Sequence, residues 1–280
     1  MKSIFLFKKA TFTYLLLLSM LLAGASCAVV KNKEEAKPTI FLIGDSTVKN
    51  GKGKGDGGLW GWGNFLDVYF DSTKVSVENH ALGGTSSRTF RTYGHWEKVL
   101  AQLKPGDYVL MQFGHNDSSP VNDTLRARGT LKSNGDETEE IENLITKKHE
   151  VVHSYGWYLR EFINDTRAKG ATPVVLSPVP RNTWNNGQAN RNNDTYGQWA
   201  SEAAAQEGVV YIDLNGIIAD RYEEEGEAKV RSTYFNTTDH THTIEEGAKL
   251  NAAAVVAGIK RKKQLPLNKY LSRQGKKLSF

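Results

Sequence analysis

The 280-residue chain has one cysteine, Cys27, with seven prolines and three methionines. A single cysteine excludes an internal disulfide and any cysteine-based zinc cluster. Beyond the N-terminus no hydrophobic run approaches the length of a membrane span. Hydrophobic residues make up 39% of the chain and charged residues 24%. That balance excludes an integral helical membrane protein and argues against wholesale disorder. No internal repeat is visible. The length suits one ordinary α/β domain or two small ones, and is enough to bury a core without covalent staples.

The N-terminus reads as an address. Lys2, Lys8 and Lys9 precede an apolar run from Thr11 to Ala25 centred on four leucines. The run has the length of a signal core and is short for a transmembrane helix. Ala23-Gly24-Ala25-Ser26-Cys27 then offers two processing routes: A-x-A cleavage after Ala25, or lipidation of Cys27 as a new first residue. The position of the lone cysteine fits the second. Residues 1–26 are therefore expected to be a signal peptide and 27–38 a tether. The sequence from 39 to 280 is expected to be a single domain, exported to the periplasm or held at the outer membrane of a Gram-negative bacterium through Cys27. The formal charge of +5 falls to +2 once Lys2, Lys8 and Lys9 are removed. Little basic excess remains to support nucleic-acid binding, for which no motif is present.

After the tether, apolar runs alternate with helical patterns. Thr39–Gly44, Lys74–Asn79, Asp107–Phe113, Thr172–Ser177 and Val209–Leu214 read as strands. Asn64–Phe70, Trp96–Leu103, Glu150–Lys169, Asn193–Glu207 and Ile244–Lys263 read as helices. Ser118–Lys148 is polar and turn-rich and reads as a surface excursion. The alternation predicts a three-layer α/β/α fold on a five-stranded, mostly parallel, doubly wound sheet. Ligands of such sheets bind beyond the carboxyl ends of the strands.

Polar motifs fall at those ends. Gly44-Asp45-Ser46-Thr47 follows the first strand, Asn79-His80-Ala81-Leu82-Gly83-Gly84-Thr85-Ser86 the second, and Gly114-His115-Asn116-Asp117 the third. Asp239-His240-Thr241-His242 precedes the last helix. Each alone reads equally as a turn or a cap. Their order and placement together resemble the SGNH (GDSL-type) hydrolase family, and within it the rhamnogalacturonan acetylesterase group, from about Thr39 to Lys260. The resemblance implies a flavodoxin-like fold, an acetylated pectic glycan as substrate and no cofactor. One departure is Thr85, where fungal members of that group commonly have arginine.

Residue chemistry supplies candidate roles beside the resemblance. Ser46 is the candidate nucleophile, a hydroxyl that needs a base to become reactive. His242 is the candidate base, and Asp239, three residues earlier, would orient the imidazole. The Ser46 and Gly84 amides and the Asn116 side chain are candidate oxyanion donors. Arg88, His115, His240 and Trp184 are candidate substrate contacts, Arg88 toward a sugar carboxylate. Trp60 and Trp62 are loop aromatics that suit a sugar face. His115, Asp117, Asp239, His240 and His242 are also metal-type side chains. They lack the helical i, i+4 histidine pair or cysteine cluster of common metal sites, so no metal is expected. The triad would equally serve an acyltransferase, or act on acetylated xylan or another glycan. The same fold could also carry a glycan-binding module without catalysis.

Overall fold

Strand Thr39–Gly44 is apolar at every position from Ile40 to Ile43, and its side chains alternate between two cores. Ile40 and Leu42 join one cluster, Phe41 and Ile43 the other. A strand buried on both faces needs helices on both sides of its sheet, the arrangement of doubly wound folds. The computed structural model describes residues 37–280. The expected signal segment, Cys27 and all but the last two tether positions lie outside the described residues.

In chain order the elements are β1 (Thr39–Gly44), β2 (Ser76–Asn79), α1 (Ser87–Thr92), α2 (His95–Leu100), β3 (Tyr108–Gln112), β4 (Thr138–Glu142), β5 (His149–His153), α3 (Tyr155–Ala168), β6 (Thr172–Leu176), β7 (Trp184–Asn185), β8 (Gln188–Ala189), α4 (Tyr196–Gln206), β9 (Val210–Ile212), α5 (Leu214–Glu225), α6 (Glu227–Tyr234), α7 (Glu245–Arg261) and α8 (Arg273–Lys277). The central sheet has the order β2-β1-β3-β6-β9, and every pairing in it is parallel. This is the predicted class and strand set.

Helices α1 to α4 cover one face through Phe90, Trp96, Leu159, Phe162 and the small residues Ala200, Ala203 and Ala204. The opposite face carries α5, α6 and the alanine- and valine-rich side of α7. Helix α7 places Glu245 and Glu246 in its first turn and Lys260 and Arg261 in its last, matching the helix dipole.

Three expectations need correction. The helix read from Glu150 starts at Tyr155, because Ser154 caps it by accepting from the Trp157 amide. His149–His153 instead pairs antiparallel with Thr138–Glu142, so the polar excursion ends in a hairpin. Asn64–Phe70 forms two short 3₁₀ turns in place of a helix.

Candidate active site

The first strand delivers Ser46. Gly44 ends β1 where a Cβ would lie 2.4 Å from the Gln112 carbonyl and 2.6 Å from Val48 Cγ2, so the tight exit requires glycine. Asp45 then points inward and is fully buried. Its carboxylate accepts from the Thr47 amide and hydroxyl at 2.9 and 2.7 Å and faces His115 Nδ1 at 3.3 Å. Burial alone would push this carboxyl up. The His115 charge and hydrogen bond, with the two hydrogen bonds from Thr47, outweigh burial and hold it below its ordinary value. Asp45 thus braces the turn that turns Ser46 outward.

His242 arrives from the loop before α7. Thr243 fixes that loop: its carbonyl accepts from the Trp60 amide at 2.9 Å, and its hydroxyl donates to the Trp60 carbonyl at 3.1 Å. His242 Nε2 lies 2.8 Å from Ser46 Oγ, and His242 Nδ1 lies 2.7 Å from Asp239 Oδ2. The other oxygen of Asp239 accepts from the Thr241 and His242 amides at 2.7 and 2.8 Å. Burial works against ionisation of Asp239, but these amides and the imidazole prevail, and its carboxyl is held below the ordinary range. A carboxylate so held fixes the imidazole ring and its tautomer and stabilises the imidazolium. A hydroxyl at hydrogen-bond distance from such a ring can lose its proton as it attacks a carbonyl.

Two neighbouring loops complete the cleft. Gly84 has φ +84°, a left-handed conformation that favours glycine. Neither the Ser46 nor the Gly84 amide is taken up by a hydrogen bond among the described residues. Asn116 is 8% exposed and donates one amide hydrogen to the Thr85 carbonyl at 2.8 Å, which leaves its second hydrogen for another acceptor. Asp117 beneath it accepts from the amide and hydroxyl of Ser87. Burial pushes the Asp117 carboxyl up to about 7; the Ser87 bonds oppose this and the neighbouring Asp45 charge adds to it.

Ser46, Gly84, His115, Asn116 and His242 line one cleft of about 530 Å³. His115 also holds the Val179 carbonyl at 3.0 Å from Nε2, so both its ring nitrogens are engaged. The remaining candidates lie outside this cleft lining. Arg88 is fully buried and bound to Glu150, Val121 and Gly129, so it cannot reach a substrate. The side chain of His240 is exposed and lies outside the cleft lining, while its carbonyl accepts from the Asn182 amide. Trp184 donates from Nε1 to Asn182 Oδ1 at 2.9 Å and packs against the core at the start of β7. Trp62 is fully buried and donates to Gln112 at 2.8 Å, while Trp60 packs against Phe65. Among the described residues no group of three or more His, Cys, Asp or Glu side chains is placed to hold a metal ion. Three cleft residues, Arg126, Arg128 and Arg181, were not singled out by the sequence reading. No local signal marks Arg126 and Arg128, whereas Arg181 ends the Thr172–Arg181 segment that also resembles the family; the fold brings all three to the nucleophile.

Comparison with known proteins agrees with this architecture. The model of the GDSL-like Lipase/Acylhydrolase family matches residues 42–250. The chain is 31% identical over 221 residues to the rhamnogalacturonan acetylesterase of Emericella nidulans, covering 79% of this chain and 84% of that protein. It is 32% identical over 253 residues to the rhamnogalacturonan acetylesterase RhgT of Bacillus subtilis, covering 85% and 96%. The crystal structure of the Bacillus subtilis protein YxiM superposes with a TM-score of 0.63 at 26% identity, over 81% of this chain and 57% of that one. Axe2, an acetylxylan esterase from Geobacillus stearothermophilus, shares the fold at a TM-score of 0.52 and 17% identity, over 79% and 93%. The chain belongs to the GDSL-like lipase/acylhydrolase family and is a carboxylic-ester hydrolase.

Proposed function

We propose that the chain is an exported carbohydrate esterase that removes O-acetyl groups from the backbone of an acetylated pectic glycan, rhamnogalacturonan. The observation that carries the reaction is the unbroken chain of contacts from Ser46 through His242 to Asp239, at 2.8 and 2.7 Å. Ser46 Oγ attacks the acetyl carbonyl while His242 Nε2 takes its proton. Charge on the carbonyl oxygen is met by the Ser46 and Gly84 amides and the free hydrogen of Asn116. The intermediate collapses as His242 returns the proton to the departing sugar hydroxyl, leaving an acetyl group on Ser46. Water then attacks that ester, with His242 as base, and acetate leaves. No cofactor takes part in this sequence.

The choice of glycan is supported by the relatives in Emericella nidulans and Bacillus subtilis, whose names state rhamnogalacturonan acetylesterase activity. Export rests on the basic, apolar and small-residue order of residues 1–26, with Cys27 as the attachment point for a lipid. The test is acetate release from a panel of acetylated rhamnogalacturonan, homogalacturonan and xylan. Turnover is expected to be highest on the first. A preference for acetylxylan would overturn the substrate assignment and leave the esterase chemistry standing.

A further inference from the structure

Most arginines among the described residues are ion-paired, and of those that are not, Arg126, Arg128 and Arg181 gather in one cleft while Arg261 and Arg273 lie outside it. Arg88, Arg91, Arg160, Arg191 and Arg231 each sit on a carboxylate. Arg126, Arg128 and Arg181 pair with none among the described residues, yet all three line the cleft that holds Ser46, and no aspartate or glutamate lines it with them. Uncompensated guanidinium groups gathered in one concave site raise the local concentration of anions. Their planar fork matches a carboxylate.

The loop that carries two of them is held in place. Asp123 Oδ1 accepts from the amides of Leu125, Arg126 and Ala127 at 2.9, 2.6 and 2.9 Å. Ala127 is fully buried with φ +40°, a costly conformation for a residue with a Cβ. Buried Arg88 donates from Nη1 to the carbonyls of both Val121 and Gly129, tying together the two ends of the loop. Arg128 is anchored in turn: Nη1 donates to the Gly84 carbonyl at 2.8 Å and Nε to Ser119 at 3.0 Å. Burial, and then the like charge of Arg126, pull the Arg128 guanidinium below its ordinary value. Arg181, from the loop after β6, spends one donor on the His115 carbonyl at 3.2 Å. Arg126 and Arg181 are exposed, and their remaining donors are free among the described residues.

We infer that Arg126 and Arg181 form a carboxylate-reading site beside the nucleophile, so that the enzyme selects acetylated sugars flanked by uronate residues over neutral acetylated sugars. Arg128 is a positioning residue, tying Ser119 on one side to the Gly84 loop on the other. The inference rests on the esterase reading for the location of the reacting ester, and it assigns the charge recognition to residues of the 118–148 excursion and the β6 loop.

The test compares kcat/KM on an acetylated oligouronide and on the same oligomer with its carboxyls methyl-esterified. The parent is expected to prefer the free acid roughly 25-fold, from two exposed ion pairs of about fivefold each, with the preference shrinking as salt is raised. Arg126→Gln/Arg181→Gln is expected to reduce that ratio to near one, and Arg126→Glu to fall below Arg126→Gln. Binding of the deacetylated oligomer and its methyl ester to Ser46→Ala, with and without the arginine changes, reads the same preference without turnover. A parent that treats acid and methyl ester alike overturns the inference, as does a double variant that keeps the full preference. Acetate release that persists at the parental rate in Ser46→Ala strikes at Ser46 as the nucleophile alone, because the binding arm still reports on the arginines.

Discussion

Replacing Arg88 by methionine keeps much of the side-chain volume and removes a charge from the interior. In the folded protein its Nε and Nη2 meet the two oxygens of Glu150 at 2.7 and 2.6 Å, and Nη1 meets the carbonyls of Val121 and Gly129 at 2.7 and 2.9 Å. The Glu150 side chain is 15% exposed, so water reaches it only in part. Burial pushes the Glu150 carboxyl up, and the hydrogen bonds from Arg88 and Asn143 overcome this and hold it below its ordinary value. Removing one member of a buried pair costs about 3–5 kcal/mol, and each carbonyl stripped of a charged donor adds about 1 kcal/mol. Partial access of water to Glu150 offsets some of this, which leaves a loss of about 4 kcal/mol. For a domain of this size that corresponds to a Tm lowered by roughly 10 °C. The sign of the pH dependence follows from the depressed Glu150. Its stabilisation is present above the ordinary carboxylate pKa and is lost as pH falls through the folded value. The gap between parent and variant should therefore be full at pH 7 and narrow toward pH 4 and below. Urea and thermal unfolding at both pH values measure it, and Arg88→Met/Glu150→Leu should recover part of the loss. A variant as stable as the parent at pH 7, but with a raised KM for an acidic glycan, would contradict a structural role and return Arg88 to the substrate.

Asp117 behaves in the opposite sense. Its folded pKa, about 7, lies above the ordinary carboxylate value, so its contribution is fully present in acid and is lost as pH rises through about 7. Asp117→Asn, which cannot ionise, should gain stability relative to the parent between pH 5 and pH 8, by a few kcal/mol at most; a Tm difference that does not change with pH would contradict this. Asn116→Ala should lower kcat on an acetate ester about 10²–10³-fold while the circular dichroism spectrum stays that of the parent. Unchanged turnover would remove Asn116 from the oxyanion site.

Strands β1 and β6 were legible because a strand buried on both faces is a short apolar run. Ile40 to Ile43 and Val174 to Leu176 carry no polar residue. Strand β5 was hidden because Val151 and Val152 stand at helical spacing from Tyr155 and Tyr158. Only the Ser154 cap, and the pairing with Thr138–Glu142, separate the two elements. Helices α5 and α6 went unassigned because their charged residues outnumber a narrow apolar face that meets the core at Ile218, Ala219, Tyr222 and Val230.

The four polar motifs were readable for a topological reason. Three follow parallel strands whose carboxyl ends share one edge of the sheet, and the fourth is tied to the first loop through Trp60 and Thr243. Arg88 was misread because Ser86 caps a helix just before it, and that helix turns the guanidinium under the 121–129 loop. The opposite fate of Arg126 and Arg128 depends on the same loop. Local sequence does not distinguish an arginine that reaches the cleft from one that faces solvent.

The proposed reaction turns on Ser46 as the group that takes the acetyl. Acetate release by the parent and by Ser46→Ala, on an acetylated pectic oligomer at neutral pH, measures this together with intact-mass analysis during turnover. A fall in kcat of roughly 10⁴-fold or more is expected in the variant, with one acetyl group carried transiently on Ser46 in the parent. A variant that turned over at the parental rate would contradict it.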